Sequence, residues 1–122
     1  MKHSNLLRSF AFGFRGLAYC LRSEPNMRLH GVAAVAVVGA GWYFRVAAWE
    51  WMALVLCIGL VGAAECLNTA LERLADRVCS TEDPLIKHTK DCGAAAVLAI
   101  ALTSVVIGGL VFVPKVWLAA GW

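Results

Sequence analysis

Glu65, Asn68, Glu72 and Asp76 follow one another at spacings of three or four residues. In a helix of 3.6 residues per turn, such spacings put all four side chains on one face. The run from Trp51 to Leu71 holds Glu65 and no other charge. A carboxylate inside an apolar span costs about 2.5 kcal/mol or more, so it usually marks a site of function. Paired carboxylates can hold Mg²⁺ through oxygen ligands, with phosphates completing the shell. One carboxylate can instead act as a general base toward a hydroxyl.

Other groups extend this chemistry. Lys90 is a point charge suited to phosphate. Asp91 offers a metal or ribose contact, and Glu24 adds a carboxylate at the start of the first apolar run. Together they describe a metal–nucleotide site at one membrane surface, with a lipid hydroxyl arriving from the bilayer as acceptor. Two other readings use the same residues. The polar face could join helices, with Glu65 protonated and Asn68 bonded across an interface. It could also line a proton or ion pathway in a small transport assembly. The sequence has no GxxxxGK[ST] loop, GxGxxG, HRD or DFG element, which excludes the common nucleotide folds. His3, His30 and His88 are scattered and are assigned to no metal. The five cysteines form no CxxC pair and read as small packing residues.

The elements that must position these groups follow from composition. Of 122 residues, 61% are hydrophobic and 16% charged, with a mean hydropathy of +0.72. A soluble domain carries about 25% charged residues. Apolar runs cover Leu29 to Phe44, Trp51 to Leu71 and Cys92 to Val113. A membrane-spanning helix needs about 20 such residues. The second and third runs qualify, and the first does if it continues past a snorkelling Arg45 to Trp49. Strands in a barrel would alternate apolar and polar residues, so the runs read as helices. A segment with aromatics and spaced arginines precedes the first run, unlike the short basic cap of a cleaved signal peptide.

The expected architecture is therefore an all-α membrane protein of one domain, 1–122. Transmembrane helices at 29–49, 51–72 and 92–113 follow an amphipathic interfacial helix at 4–22. In that first helix Arg8, Arg15 and Arg22 share a face, with Leu6, Leu7, Phe10, Phe14, Leu17 and Leu21 supplying apolar area. Ser4 or Asn5 can cap it, and Pro25 breaks it from the next helix. The second span should continue to Asp76 or Val78, residues 79–84 should form a loop, and the third helix should start near Pro84. Lys2, Arg8, Arg15, Arg22 and Arg28, together with Arg73, Arg77, Lys87 and Lys90, place the N-terminus and the second loop in the cytoplasm. The C-terminus then faces outward. Trp42, Tyr43, Trp49, Trp51, Trp117 and Trp122 gather at that outer side.

The string from Glu65 to Asp76, Glu-Cys-Leu-Asn-Thr-Ala-Leu-Glu-Arg-Leu-Ala-Asp, resembles the signature of the bacterial diacylglycerol kinase and undecaprenol kinase family. The likeness extends to Lys90-Asp91-Cys-Gly-Ala-Ala-Ala-Val and to Glu24-Pro-Asn-Met-Arg28-Leu-His30, and it covers essentially the whole chain. The resemblance implies a homotrimer of the bacterial inner membrane, with active sites between subunits. It implies transfer of the γ-phosphate of MgATP to a lipid alcohol. Glu65 is then the general base, and Glu24 and Glu72 hold the divalent metal. Asn68, Lys90 and Asp91 surround the nucleotide together with Glu24 and Glu72, and Glu82 and Asp83 lie near its outer end. Phe14 and Arg28 join Glu65 toward the lipid. Two departures stand out: Pro25 directly follows Glu24, and Phe12 stands near a place where some members carry Tyr. The stretch Glu24 to His30 and the tail Phe112-Val-Pro-Lys115 look more like the undecaprenol kinase branch.

Overall fold

The computed structural model describes residues 5–121. Lys2, His3, Ser4 and Trp122, which enter the expectations above, lie outside the described residues. The described chain is four helices: α1 (Leu6–Ser23), α2 (Pro25–Tyr43), α3 (Ala48–Val78) and α4 (Pro84–Ala119). Asn5 caps α1 by accepting a hydrogen bond from the Arg8 backbone N–H at 2.9 Å. That satisfies one of the donors every helix leaves open at its start.

A single extended residue, Glu24, separates α1 from α2 (φ −117°, ψ 114°). Proline excludes helical geometry from the residue before it and favours the first position of a new helix, and Pro25 does both. Arg28 secures this elbow from the α2 side. Its Nη1 donates to the carbonyls of Leu21 and Arg22, both at 2.9 Å, the open acceptors at the end of α1.

The helix expected to hold the 29–49 span is corrected at its end. It starts at Pro25, where the proline break puts it, after an elbow of one residue. It stops at Tyr43, because Arg45 takes a left-handed conformation (φ 52°) instead of snorkelling from a continuing helix. The turn is held by Phe44 N–H on Ala40 O at 2.9 Å and Val46 N–H on Gly41 O at 3.2 Å. Gly41 has no substitute here, since a Cβ would sit 2.5 Å from the Trp51 ring. Around the turn, buried Val46, Leu54 and Val111 pack with Val37, Phe44, Trp51, Ile107 and Phe112. This cluster ties α2, α3 and α4 together at what we call the turn end.

α3 and α4 form the most extensive helix pair. With 31 and 36 residues they run about 46 and 54 Å at 1.5 Å per residue. α3 reaches Val78, and α4 begins at Pro84 under the cap of Asp83, which accepts from Leu85 and Ile86 N–H at 2.9 and 3.2 Å. Both limits agree with the sequence. We call this side, with residues 79–83, the loop end. Both helices are long and apolar enough to cross a membrane. Only 22% of the most apolar window of α3 and 6% of that of α4 is buried within the chain. A soluble core helix would be mostly covered, so these faces suit lipid or other protein. α2 is not among the helices that meet the length and apolarity of a span.

At the turn end, Glu50 accepts from Ala47 N–H at 2.9 Å and from Lys115 Nζ at 2.7 Å. The pair joins the start of α3 to the end of α4, and Glu50 is buried. Removing one partner of a buried pair leaves the other charge uncompensated. Lys115→Met should lower the thermal unfolding temperature in detergent by several degrees. Glu50→Gln added to it should restore part of the loss, because an amide oxygen still caps Ala47 without a stranded charge.

Candidate active site

Glu65 is 3% exposed on the face of α3 that meets α2. Its Oε1 lies 3.1 Å from His30 Nε2. Buried Thr69 lies one turn further on the same face. Asn68 Nδ2 donates to Glu72 Oε1 at 3.5 Å, a long contact. Asn68 Oδ1 is buried with no hydrogen-bond partner. An orphaned amide oxygen inside a protein is costly and calls for a donor or a cation. From Glu65 the stripe runs past Asn68 and Glu72 to Asp76, about 16 Å along the axis.

α4 packs tightly against this stripe at Gly93. A Cβ there would overlap Asn68 Oδ1 and approach Leu71 Cδ2 to 2.9 Å. The missing side chain brings the α4 backbone against the Asn68 amide. It also sets Lys90, one turn earlier, over Asp76, with which it forms a close ion pair. Lys87 pairs with Asp91 at 2.7 Å. At the loop end a cavity of about 690 Å³ is bounded by Asp76, Glu82, Asp83, Lys87 and Lys90. The structure therefore gathers Glu82, Asp83 and Lys90 around one polar opening at the end of the Glu65–Asp76 stripe. Asp91 is turned toward Lys87, and Asp83 also caps α4.

The N-terminal candidates are held differently. Glu24 Oε1 accepts from Arg73 Nη2 at 2.7 Å, and Arg73 Nε donates to Tyr19 Oη at 3.0 Å. This trio fastens α1 and the elbow to α3. Arg28 spends its Nη1 on the α1 carbonyls. Phe14 is exposed in a shallow groove along α1 with Leu6, Phe10, Gly13 and Leu17.

A Mg²⁺ ion carrying a nucleotide needs only one or two protein carboxylates. Glu72 and the free Asn68 oxygen fit that need, because both are hard oxygen donors on adjacent turns. Glu24 fits it less directly, since a cation would have to exchange with the Arg73 guanidinium. Among the described residues, no three His, Cys, Asp or Glu side chains converge as a ready metal centre.

Sequence reasoning missed His30, Gly93 and the Tyr19–Arg73 clamp. His30 and Arg73 act across 35 and 49 residues of chain, so no local spacing signals them. Gly93 could have been suspected from its place three residues after Lys90. Gly93→Ala should force Asn68 and Leu71 to move. We expect about 1–3 kcal/mol lost in unfolding free energy, as in overpacked cores generally, and a fall in turnover larger than that of Gly39→Ala, a position with open space around it.

Comparison with known proteins finds relatives along most of the chain. A family model described as prokaryotic diacylglycerol kinase matches residues 11–112. An undecaprenol kinase from Bacillus subtilis (strain 168) is 38% identical over 112 residues, covering 92% of this chain and 91% of the relative. A diacylglycerol kinase from Synechocystis sp. is also 38% identical, over 111 residues, covering 90% of this chain and 63% of the relative. A diacylglycerol kinase from Escherichia coli (strain K12) is 29% identical over 103 residues, 84% of each chain. The match spans the buried carboxylate on α3, its amide neighbour and the Lys90 turn of α4 alike, and the chain belongs to the prokaryotic diacylglycerol kinase family.

Proposed function

We propose that this protein transfers the γ-phosphate of ATP to the hydroxyl of a membrane lipid, diacylglycerol or undecaprenol, with Glu65 as general base. The observation that carries the reading is a carboxylate 3% exposed in an apolar helix, at the deep end of a polar stripe that opens on a lysine-bearing cavity. The relatives' names supply the substrate classes. On this reading the lipid hydroxyl comes to Glu65 from the bilayer side, and the nucleotide comes to the loop end from water. The reacting phosphate then lies between them, near Asn68 and Glu72.

In this reaction the hydroxyl proton passes to the Glu65 carboxylate as the lipid oxygen bonds to the γ-phosphorus. The bond from that phosphorus to the bridging oxygen breaks, and ADP leaves. Glu72 and Glu24 would hold Mg²⁺ with the nucleotide, and the bound cation would offset the phosphate charge. Asn68, Lys90 and Asp91 hold the nucleotide, with Glu82 and Asp83 toward its outer end. Phe14 and Arg28 belong to the lipid side. Such transfer depends mainly on positioning and charge stabilisation, so a few groups suffice.

The reading includes a topology. α2, α3 and α4 cross the inner membrane, and α1 lies in its interface with Leu6, Leu7, Phe10 and Phe14 exposed to it. The loop end and the N-terminus are cytoplasmic by the distribution of Lys and Arg, and the C-terminus is outside. Three copies assemble, and close helix approach is available at Gly59, Gly62 and Ala63. The transport reading has less support. Thr103 and Ser104 in mid-α4 bond to their own carbonyls, Ala99 and Ile100, at 2.8 Å, and offer no relay toward the turn end.

Phosphate transfer from labelled ATP in mixed micelles, with diacylglycerol and undecaprenol in parallel, tests the proposal. Glu65→Gln should cut turnover by about 10²–10⁴-fold, the usual worth of a general base, with the fold kept. Full activity in that variant, or no transfer by folded wild type with Mg²⁺ present, would refute it. Glu72→Gln should raise the Mg²⁺ concentration needed for half-maximal rate. An unchanged Mg²⁺ response would remove Glu72 from the metal site.

A further inference from the structure

Glu65 is buried, and the hydrogen bond it makes comes from another helix. His30, on the first turns of α2, brings Nε2 to 3.1 Å from Glu65 Oε1. The two side chains are 24% and 4% exposed, so water competes little for the contact. The surroundings offer few substitutes for that ring. On α3, Cys66 follows Glu65 and buried Thr69 lies one turn on, and Cys20 of α1 neighbours Cys66. α4 carries no titratable side chain from Gly93 to Pro114. An apolar cavity of about 380 Å³ adjoins His30 on its other side, walled by Leu21, Met27, Gly31, Val61 and Ser104 among others. The Ser104 hydroxyl is already given to Ile100 O.

The direction of the bond follows from chemistry. A base must be ionised before it accepts a proton, and an ionised carboxylate has no hydrogen to give. In the reactive form of the site, the proton between the two groups therefore sits on His30 Nε2. That bond fixes Oε1 and leaves Oε2 for the acceptor. We infer that His30 is the positioning residue of the general base: its Nε2–H pins one oxygen of Glu65 so that the other faces the lipid hydroxyl. The inference rests on the kinase reading with Glu65 as base. His30 touches neither the nucleotide side of the stripe nor the Lys90 cavity. Its effect belongs to the chemical step, and nucleotide affinity should not feel it. Misplacing a reacting group by about 1 Å can cost about 10²-fold in rate.

Amide side chains separate positioning from mere packing. Gln places an N–H near the position of Nε2. Asn is shorter by one carbon and places its amide near Nδ1, out of reach of Glu65. His30→Leu, His30→Asn and His30→Gln should be compared with wild type for kcat, for KM toward MgATP and for thermal unfolding in detergent. We expect kcat to fall about 10- to 100-fold in the Leu and Asn variants with KM for MgATP unchanged. The Gln variant should recover most of the rate. In a Glu65→Gln background, His30→Asn should lower the residual rate no further. Wild-type kcat in the Asn variant would overturn the inference. So would a Gln variant as slow as the Asn variant when both unfold at the same temperature. If Glu65→Gln alone is fully active, the base assignment fails, and the role of His30 falls with it.

Discussion

An ionisable carboxylate inside an apolar bundle constrains everything around it. Left alone, Glu65 would cost several kcal/mol in a bilayer. The chain answers with a partner from another helix, so α2 has to lie against α3 at one height and in one rotation. His30 can reach Glu65 only because α2 starts at Pro25, one residue after α1 ends. The elbow at Glu24 thus sets the height of His30. Arg28 and the Tyr19–Arg73–Glu24 trio hold that elbow against both neighbouring helices. Opposite, Gly93 lets α4 close on Asn68. Contacts that look like ordinary packing share one task, which is to keep a polar stripe ordered among apolar helices.

The order of polarity along the bundle follows from the same constraint. Ion pairs tie the helices at the two ends: Lys90–Asp76 at the loop end and Lys115–Glu50 at the turn end. Between them the helices are joined by small and apolar side chains, with His30–Glu65 as the deep polar contact. The Lys90–Asp76 pair keeps access to water, where desolvation is cheap, while the buried carboxylates Glu50 and Glu65 must be partnered. The stripe from Glu65 to Asp76 therefore grades from dry to wet. That gradient suits joining a lipid hydroxyl at one end to a charged, water-borne phosphate donor at the other.

Much of this was legible in the sequence because it is local. The shared face of Glu65, Asn68, Glu72 and Asp76, the extension of α3 to Val78, the loop before Pro84 and the break at Pro25 all rest on spacing or on proline geometry. The end of α2 was not legible. Arg45 enters a left-handed turn, and Trp51 packs on Gly41 across that loop, a contact that no periodicity encodes. The partner of Glu65 was hidden for a related reason. A lone histidine in an apolar run looks the same whether it fills space or orients a base, and only the packing of α2 on α3 separates the two. The partners of Glu24, Lys90 and Glu50 were hidden too, since residue type gives charge but not the opposite charge that meets it.

Those partners change how the loop end must work. Lys90 is paired with Asp76, Lys87 with Asp91 and Arg73 with Glu24. On the proposed function, a phosphate arriving at Lys90 would not meet a bare cation. It would exchange with the Asp76 carboxylate, which would then need another partner. At exposed sites such pairs contribute little, commonly about 0–1 kcal/mol, so the exchange is cheap. It would also be selective, because an anion alone would leave Asp76 repelling it, while an anion bound to a divalent cation would supply the positive charge that Asp76 loses. If the proposed function holds, the pairing pattern would favour a metal-complexed nucleotide over a free one through the arithmetic of charge.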